Sequence, residues 1–249
     1  MTLPVDSVAP GVKKPGLIDD VVDAFVHPSA LFDRVRNSSF VRPALIQMVL
    51  CGILVFALRN LISPYFDAEF ARGMAKASAQ AAAQGREMPA SAIEMSRKMA
   101  SFSTMFGPLL VPWFIAIFGG LATWIAARIV GAKISYGQSA TIASWSYMPG
   151  VLGFVALAVQ GALVDTNTIR GAADGQLGPA RFLDPNTASP QLLALLQNLD
   201  VFGLWSLILT AIGVAVVART SRATGALAAV IRFAIGALLT LIPTLMNRS

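Results

Sequence analysis

The chain has 249 residues, of which 55% are hydrophobic and only 13% are charged. A soluble domain carries roughly twice that charged fraction, so the composition excludes an ordinary water-soluble protein. The net charge of +6 and the pI of about 10.0 could point to nucleic acid, but 19 lysines and arginines in all are too few for a basic binding patch. The composition therefore predicts a membrane protein, and no nucleic-acid partner is expected.

The N-terminal part of the chain is polar, then amphipathic. Residues 1–16 lack the apolar core of a signal peptide and predict a disordered cytoplasmic tail. Residues 17–41 carry apolar side chains at helical spacing, with aspartates and arginines on the other face. Pro28 divides them into two short helices, because proline is tolerated in the first turn of a helix. These helices are too charged to cross a bilayer, so we predict that they lie in its interface or beneath the bundle.

Residues 42–249 contain five stretches that are long and apolar enough to cross the roughly 30 Å hydrocarbon core as helices. They lie at about 43–62, 108–127, 139–164, 201–218 and 226–246. Within them, Arg59 and Arg232 are the only charged residues. The pattern predicts an all-α, polytopic membrane helix bundle with five transmembrane helices.

The segment between the first two spans, residues 63–104, is rich in alanine, methionine, glutamine and basic residues. These residue types favour helices, and the stretch Gln84–Pro89 interrupts them. We predict a helical hairpin outside the membrane, on the extracytoplasmic side. Before the fourth span, Ser189 and Pro190 have the types expected at the N-cap and first position of a further short helix.

The positive-inside rule sets the expected orientation. Two short loops follow the second and fourth spans, and both are basic: the first holds Arg128 and Lys133, the second Arg219 and Arg222. Short loops count most in this rule, so we expect a cytoplasmic N-terminus and an extracytoplasmic C-terminus.

Polar groups inside a bilayer are costly, which makes them the first candidates for function. Arg232 could contact an anion or a lipid headgroup, or it could simply extend its long side chain to the interface, which is the stronger alternative. In the third span, Thr141, Ser144 and Tyr147 lie near Pro149, which removes a helical hydrogen bond. These residues predict either a kinked helix that lines a cavity or a packing kink, and the packing kink is the stronger alternative.

Several catalytic and metal-binding chemistries are excluded by the residues available. No phosphate-binding loop of the type G-x-x-x-x-G-K-[ST] is present. The chain has one histidine, His27, and one cysteine, Cys51, too few for a zinc site. No aspartate or glutamate falls within a predicted span, which removes most proton-coupled transport. We therefore expect no catalytic residues, no cofactor and no metal site.

Three segments carry a family resemblance. They are AFVHPSALFDRVR followed by FVRPALIQMVL, the third-span region SYGQSATIASWSYMPGVLG, and LLALLQNLDVFGLWSLILTAIGVAVVARTSRATGALAAVI. The last contains an F-x-x-W-x-L core at Phe202, Trp205 and Leu207. In this order they resemble the Yip1 family of small five-span membrane proteins, specifically its bacterial members. The resemblance implies a non-enzymatic integral membrane protein. The signature segments of the eukaryotic trafficking members are not recognisable, so that role is not carried over.

The resemblance and the exclusions together lead to two hypotheses. The first is a scaffold or accessory subunit of a membrane complex in the bacterial inner membrane, embedded in the lipid bilayer and bound to a membrane protein or to a second copy. The alternative is a small permease or lipid-handling protein with a cavity beside the kinked third span, lined by Thr141, Ser144, Tyr147, Pro149 and Arg232.

The predicted orientation can be tested with reporters fused after Ser249. We expect alkaline phosphatase, which folds outside the cytoplasm, to be active there, because an odd number of spans places the two termini on opposite sides. A fluorescent reporter that folds only in the cytoplasm should stay dark. The opposite pair of results would contradict either the orientation or the number of spans.

Overall fold

The computed structural model describes residues 16–246 and confirms the predicted all-α helix bundle. The helices are α1 (Leu17–Val26), α2 (Pro28–Arg34), α3 (Val41–Ala83), α4 (Ala90–Phe114), α5 (Gly120–Ile129), α6 (Tyr136–Ser146), α7 (Met148–Leu163), α8 (Pro190–Gln197), α9 (Val201–Val217) and α10 (Arg222–Met246). A π-helical turn, Ile115–Gly119, joins α4 to α5. The predicted tail lies outside the described residues except for Gly16, the N-cap of α1.

Four helical segments are long and apolar enough to cross a membrane. They are α3, the segment Ala90–Ile129, the segment Tyr136–Leu163, and Arg222–Ile242 of α10. A fifth is counted if α8 and α9, which are bent by 56° relative to each other, form one broken span. Alone, the 17 residues of α9 are about 26 Å long, just short of the hydrocarbon core. The bundle therefore has four to five candidate spans.

The longest helix, α3, has 43 residues and is about 65 Å long, twice the thickness of the hydrocarbon core. It ends in a turn in which Gly85 adopts a positive φ of 70°, a conformation that glycine reaches without strain. The chain then returns as α4. The hairpin between the first two spans is therefore a continuation of the spanning helices themselves, not a separate module.

The helix α6 lies at the centre of the bundle. Every residue from Ser139 to Ser146 is buried. Glycines bring neighbouring helices close to it: a Cβ on Gly120 of α5 would lie 2.7 Å from the Cα of Ala140, and one on Gly213 of α9 would lie 2.8 Å from Ile142. Small residues at such positions allow the backbones to approach, which is how membrane helices gain packing energy.

The two N-terminal helices pack against this core. Leu31 and Phe32 of α2 are fully buried, and Phe32 lies against Gly213. In α1, Asp20 is 2% exposed, and its carboxylate accepts hydrogen bonds from Arg34 at 2.6 Å and forms an ion pair with Arg42 at 3.0 Å. The aspartate thus ties α1 to α2 and to the start of α3.

The other side of α1 is apolar and exposed. Its exposed residues, Leu17, Ile18, Val22 and Val26, follow helical spacing. An exposed apolar stripe beside a charged, protein-facing side is the arrangement of a helix that lies in a membrane interface.

Replacing Gly120 with alanine should destabilise the bundle by about 1–3 kcal/mol, because the new methyl group must push α5 away from the α6 backbone. The matched control is Gly73→Ala in α3, where nothing lies within 4 Å of the added Cβ. This control should be neutral or stabilising, since alanine is the better helix former. Thermal unfolding in detergent, followed by loss of helical signal, measures both variants. Equal melting temperatures for the two would contradict the close contact.

The change Asp20→Asn should cost about 1–3 kcal/mol, because it leaves two arginines without their shared, buried carboxylate. The control is Asp33→Asn, whose ion pair with Arg36 involves a 68% exposed aspartate. Exposed pairs contribute about 0–1 kcal/mol, so this variant should unfold close to the wild type. A larger loss in the control than in Asp20→Asn would refute the proposed anchor.

Candidate functional site

The polar residues of the third span are packed by protein. The hydroxyl of Thr141 donates to the carbonyl of Ser38 at 2.9 Å and is also 3.0 Å from the carbonyl of Gly137. The carbonyl of Ser144 accepts a hydrogen bond of 2.5 Å from the side-chain amide of Gln47 in α3. Thr141 therefore joins α6 to the connection between α2 and α3, and the main chain at Ser144 joins α6 to α3. Neither residue lines any of the cavities described below.

The break between α6 and α7 falls at Tyr147, two residues before Pro149. At this break Gly150 donates to the carbonyl of Tyr147 at 2.8 Å.

Gln47 was not among the predicted site residues, although it is a polar residue early in the first span and is completely buried. Its signal was present in the sequence, because an amide at membrane depth is itself a candidate for a specific contact.

Tyr147 is the one predicted residue of the third span that lines a cavity. The cavity has a volume of about 220 Å³ and reaches the segment between α7 and α8, with Asp200 and Phe202 among its other lining residues. The tyrosine ring lies against Gly150, where a Cβ would come within 2.7 Å of the ring.

Arg232 is half-buried and lies apart from that cavity. One of its terminal nitrogens, Nη2, would be 3.4 Å from a Cβ placed on Gly119, the last residue of the π-helical turn. Its Nε is buried and has no hydrogen-bond partner among the described residues. The carbonyls of this turn are engaged elsewhere, that of Gly119 by the hydroxyl of Thr123 at 2.7 Å and that of Ile117 by Tyr136 at 3.0 Å. The structure thus does not bring Arg232 together with the polar residues of the third span.

The largest described cavity lies between α3 and α4 and has a volume of about 650 Å³. We call it the hairpin groove. Its walls are mostly apolar and include Val55, Phe56, Phe66, Phe70, Met105 and Phe154. Both helices continue through a proline along it, Pro64 in α3 and Pro108 in α4, and proline inside a helix removes a hydrogen bond and favours a bend. These are the positions at which the two helices are expected to separate.

Three charged side chains also line the hairpin groove: Arg59, Asp67 and Arg97. Within residues 16–246, none of the three has an ion-pair or hydrogen-bond partner. Neighbouring charges on the same helices are paired, such as Lys98 with Glu94 at 2.7 Å. The groove therefore offers two free guanidinium groups and one free carboxylate beside apolar walls.

A second charged cluster links the N-terminal helices. The hydrogen bond from Arg34 lowers the pKa of Asp23, and contact with His27 adds to the effect. Because the folded pKa is below its usual value of 3.8, the contribution of Asp23 to stability is present above that value and is lost as the pH falls through the folded pKa. The cluster is structural, since it joins α1 to α2.

Among the described residues, no three histidine, cysteine or acidic side chains converge as a metal site would require.

The family model described as the Yip1 domain matches residues 22–242, nearly the whole chain. The chain belongs to the Yip1 family. The match begins within α1 and ends within α10, so this Yip1-domain protein includes the hairpin and the bundle in one unit. No curated protein and no solved structure matches the chain. Family membership and the apolar helices establish an integral, multi-pass membrane protein.

Proposed function

We propose that this Yip1-domain protein is a non-enzymatic scaffold or accessory subunit of a membrane complex. The observation that carries the proposal is an apolar stripe on α4: Met95, Met99 and Phe102 are 60%, 65% and 62% exposed, and Phe106 continues the stripe. These residues follow helical spacing. Met95 lies in the part of the hairpin that we expect beyond the bilayer, and Met99 lies at its boundary, level with the end of the first predicted span. Exposed apolar patches in water mark sites of protein association.

The geometry of the hairpin supports this proposal. A hydrocarbon core crossed by residues 43–62 leaves about 30 Å of α3 on the outer side, with α4 packed beside it. Two rings on the stripe, Phe102 and Phe106, already pack together with centroids 4.6 Å apart. Such a preorganised surface would lose little side-chain entropy when a partner covers it.

The proposed setting is the bacterial inner membrane, with the N-terminus in the cytoplasm. Its support is the clustering of positive charge at one end of the bundle. Arg128 lies in the last turn of α5, Arg219 follows α9 and Arg222 begins α10, near the end of α9 against which the N-terminal segment also packs. The single histidine and the buried cysteine support the absence of a catalytic role.

A second candidate is a lipid-handling protein, and the hairpin groove is the observation that favours it. The groove lies between α3 and α4, away from the third-span residues that the sequence indicated for a transport cavity. If the protein transfers lipid, the groove rather than the third span is where the lipid would be held.

The scaffold proposal can be tested by photo-cross-linking in native membranes. A photoreactive amino acid at Met99 should give a specific protein adduct, identified by mass spectrometry, because the exposed stripe would lie in the interface. The matched control is the same amino acid at Gln80, an exposed position on the hairpin outside the stripe. An adduct with a second copy of the chain would identify a homo-oligomer as the partner. Equal adducts at both positions, or none at Met99, would refute the proposal.

A further inference from the structure

We propose that the hairpin groove binds one phospholipid of the outer leaflet. Arg59 and Arg97 hold its phosphate, and the membrane-level part of the groove, lined by Phe56 and Phe154, holds its acyl chains. The inference concerns binding alone, so it stands whether the protein is a scaffold or a lipid-handling protein.

The depth of the two arginines is the first support. Trp113 Nε1 is 3.5 Å from Met48 Sδ, and a Cβ on Gly52 would lie 3.5 Å from Leu109. These two pairs define one antiparallel register between α3 and α4. Continued outwards, the register places Arg97 five residues beyond Arg59, about 7.5 Å along the axis.

Both arginines thus come near the outer boundary of the hydrocarbon core, where the first predicted span ends at about residue 62. This is the depth at which the phosphates of the outer leaflet lie. The inner part of the hairpin groove, from Val55 to Ile62, is at the depth of the acyl chains. The outer part, from Ser63 to Met74, continues for about 18 Å above it.

The groove also has the surface that a lipid requires. Phe56 and Phe154 line its membrane-level part, and Phe56 is 49% exposed at the side where lipid would enter. The volume of about 650 Å³ falls within the range of natural ligand sites, about 300–1,000 Å³. An apolar cavity at this depth is open to lipid tails, and filling it with them costs no exposure of apolar surface to water.

Charge identifies the headgroup chemistry. Neither arginine has an anionic partner among the described residues, and both are exposed at the edge of the apolar groove, so their guanidinium groups are available to an anion. A phosphate meets this need, because guanidinium groups bind phosphate oxygens through paired, charge-assisted hydrogen bonds. Asp67 lies eight residues beyond Arg59 on α3, about 12 Å further out. From there its carboxylate can accept a hydrogen bond from the ammonium or hydroxyl of the headgroup.

A protein segment is the less suitable occupant. It would have to present a carboxylate near the arginines while its apolar side chains entered hydrocarbon beside Phe56. A phospholipid has both chemistries already at the correct depths, and the exposed stripe on α4 leaves a separate surface for a protein partner.

The test is native mass spectrometry of the full chain, purified in mild detergent from vesicles of phosphatidylethanolamine and phosphatidylglycerol. The wild type should retain one phospholipid. The double variant Arg59→Gln/Arg97→Gln should bind it at least about tenfold more weakly, since it removes both charge-assisted contacts to the phosphate. The control is Arg86→Gln, an exposed arginine at the tip of the hairpin outside the groove, which should retain lipid as the wild type does.

Two further measurements make the outcome decisive. The variants should unfold at the same temperature as the wild type once lipid is removed, which separates lost binding from lost folding. Inorganic phosphate added at millimolar concentration should not displace the lipid; displacement would mean that the arginines form only a general anion site. Unchanged lipid retention in the double variant, or equal loss in Arg86→Gln, would overturn the inference.

Failure of the inference is distinguishable from failure of the two functional proposals. Retained lipid without transfer between vesicles would leave the inference standing and remove the lipid-handling candidate. Cross-linking at Met99 reports on the scaffold proposal independently, because Met99 does not line the groove.

Discussion

The rest of the structure depends on the unbroken length of α3. At its start, Arg42 pairs with Asp20 and anchors α1. Further along the helix, Gln47 binds the carbonyl of Ser144 at the centre of the bundle. Beyond the predicted membrane boundary the same helix forms one wall of the hairpin groove. A single helix, twice as long as the hydrocarbon core is thick, therefore contacts the N-terminal helices and the buried core and continues into the hairpin.

Hydropathy predicted the spans because charge is excluded from hydrocarbon, and the helical composition of residues 63–104 predicted a hairpin with a break at Gln84–Pro89. The continuity of α3 was not predictable from hydropathy, since the apolar signal ends near residue 62 although the helix does not. The groove was also hidden from the sequence. It arises from the register of two helices far apart in the chain, and Arg59 alone has the pattern of an arginine that simply extends to the interface.

The third span shows why polar residues in a membrane helix are ambiguous evidence. The hydroxyl of Thr141 donates to the carbonyl of Ser38 between α2 and α3, and the main-chain carbonyl of Ser144, not its hydroxyl, accepts the amide of Gln47. Tyr147, one turn later, faces a cavity. From the sequence alone, Thr141, Ser144 and Tyr147 are equally good candidates for lining a cavity. Hydrogen bonding within the bundle and exposure to a cavity both relieve the cost of a polar group in hydrocarbon. Only the positions of Gln47 and Ser38 on neighbouring segments distinguish the two cases.

The two surfaces proposed for the hairpin lie on different faces of α4. Arg97, Ser101 and Pro108 line the groove, whereas Met99 and Phe106 belong to the exposed stripe. A lipid in the groove would fix the separation of α3 and α4, and that separation sets the orientation of the stripe. The occupied groove would thus reduce the conformational entropy that the hairpin loses when a partner binds. In this arrangement a bound phospholipid and a protein partner stabilise each other, since a favourable effect of the first on the second must be reciprocal.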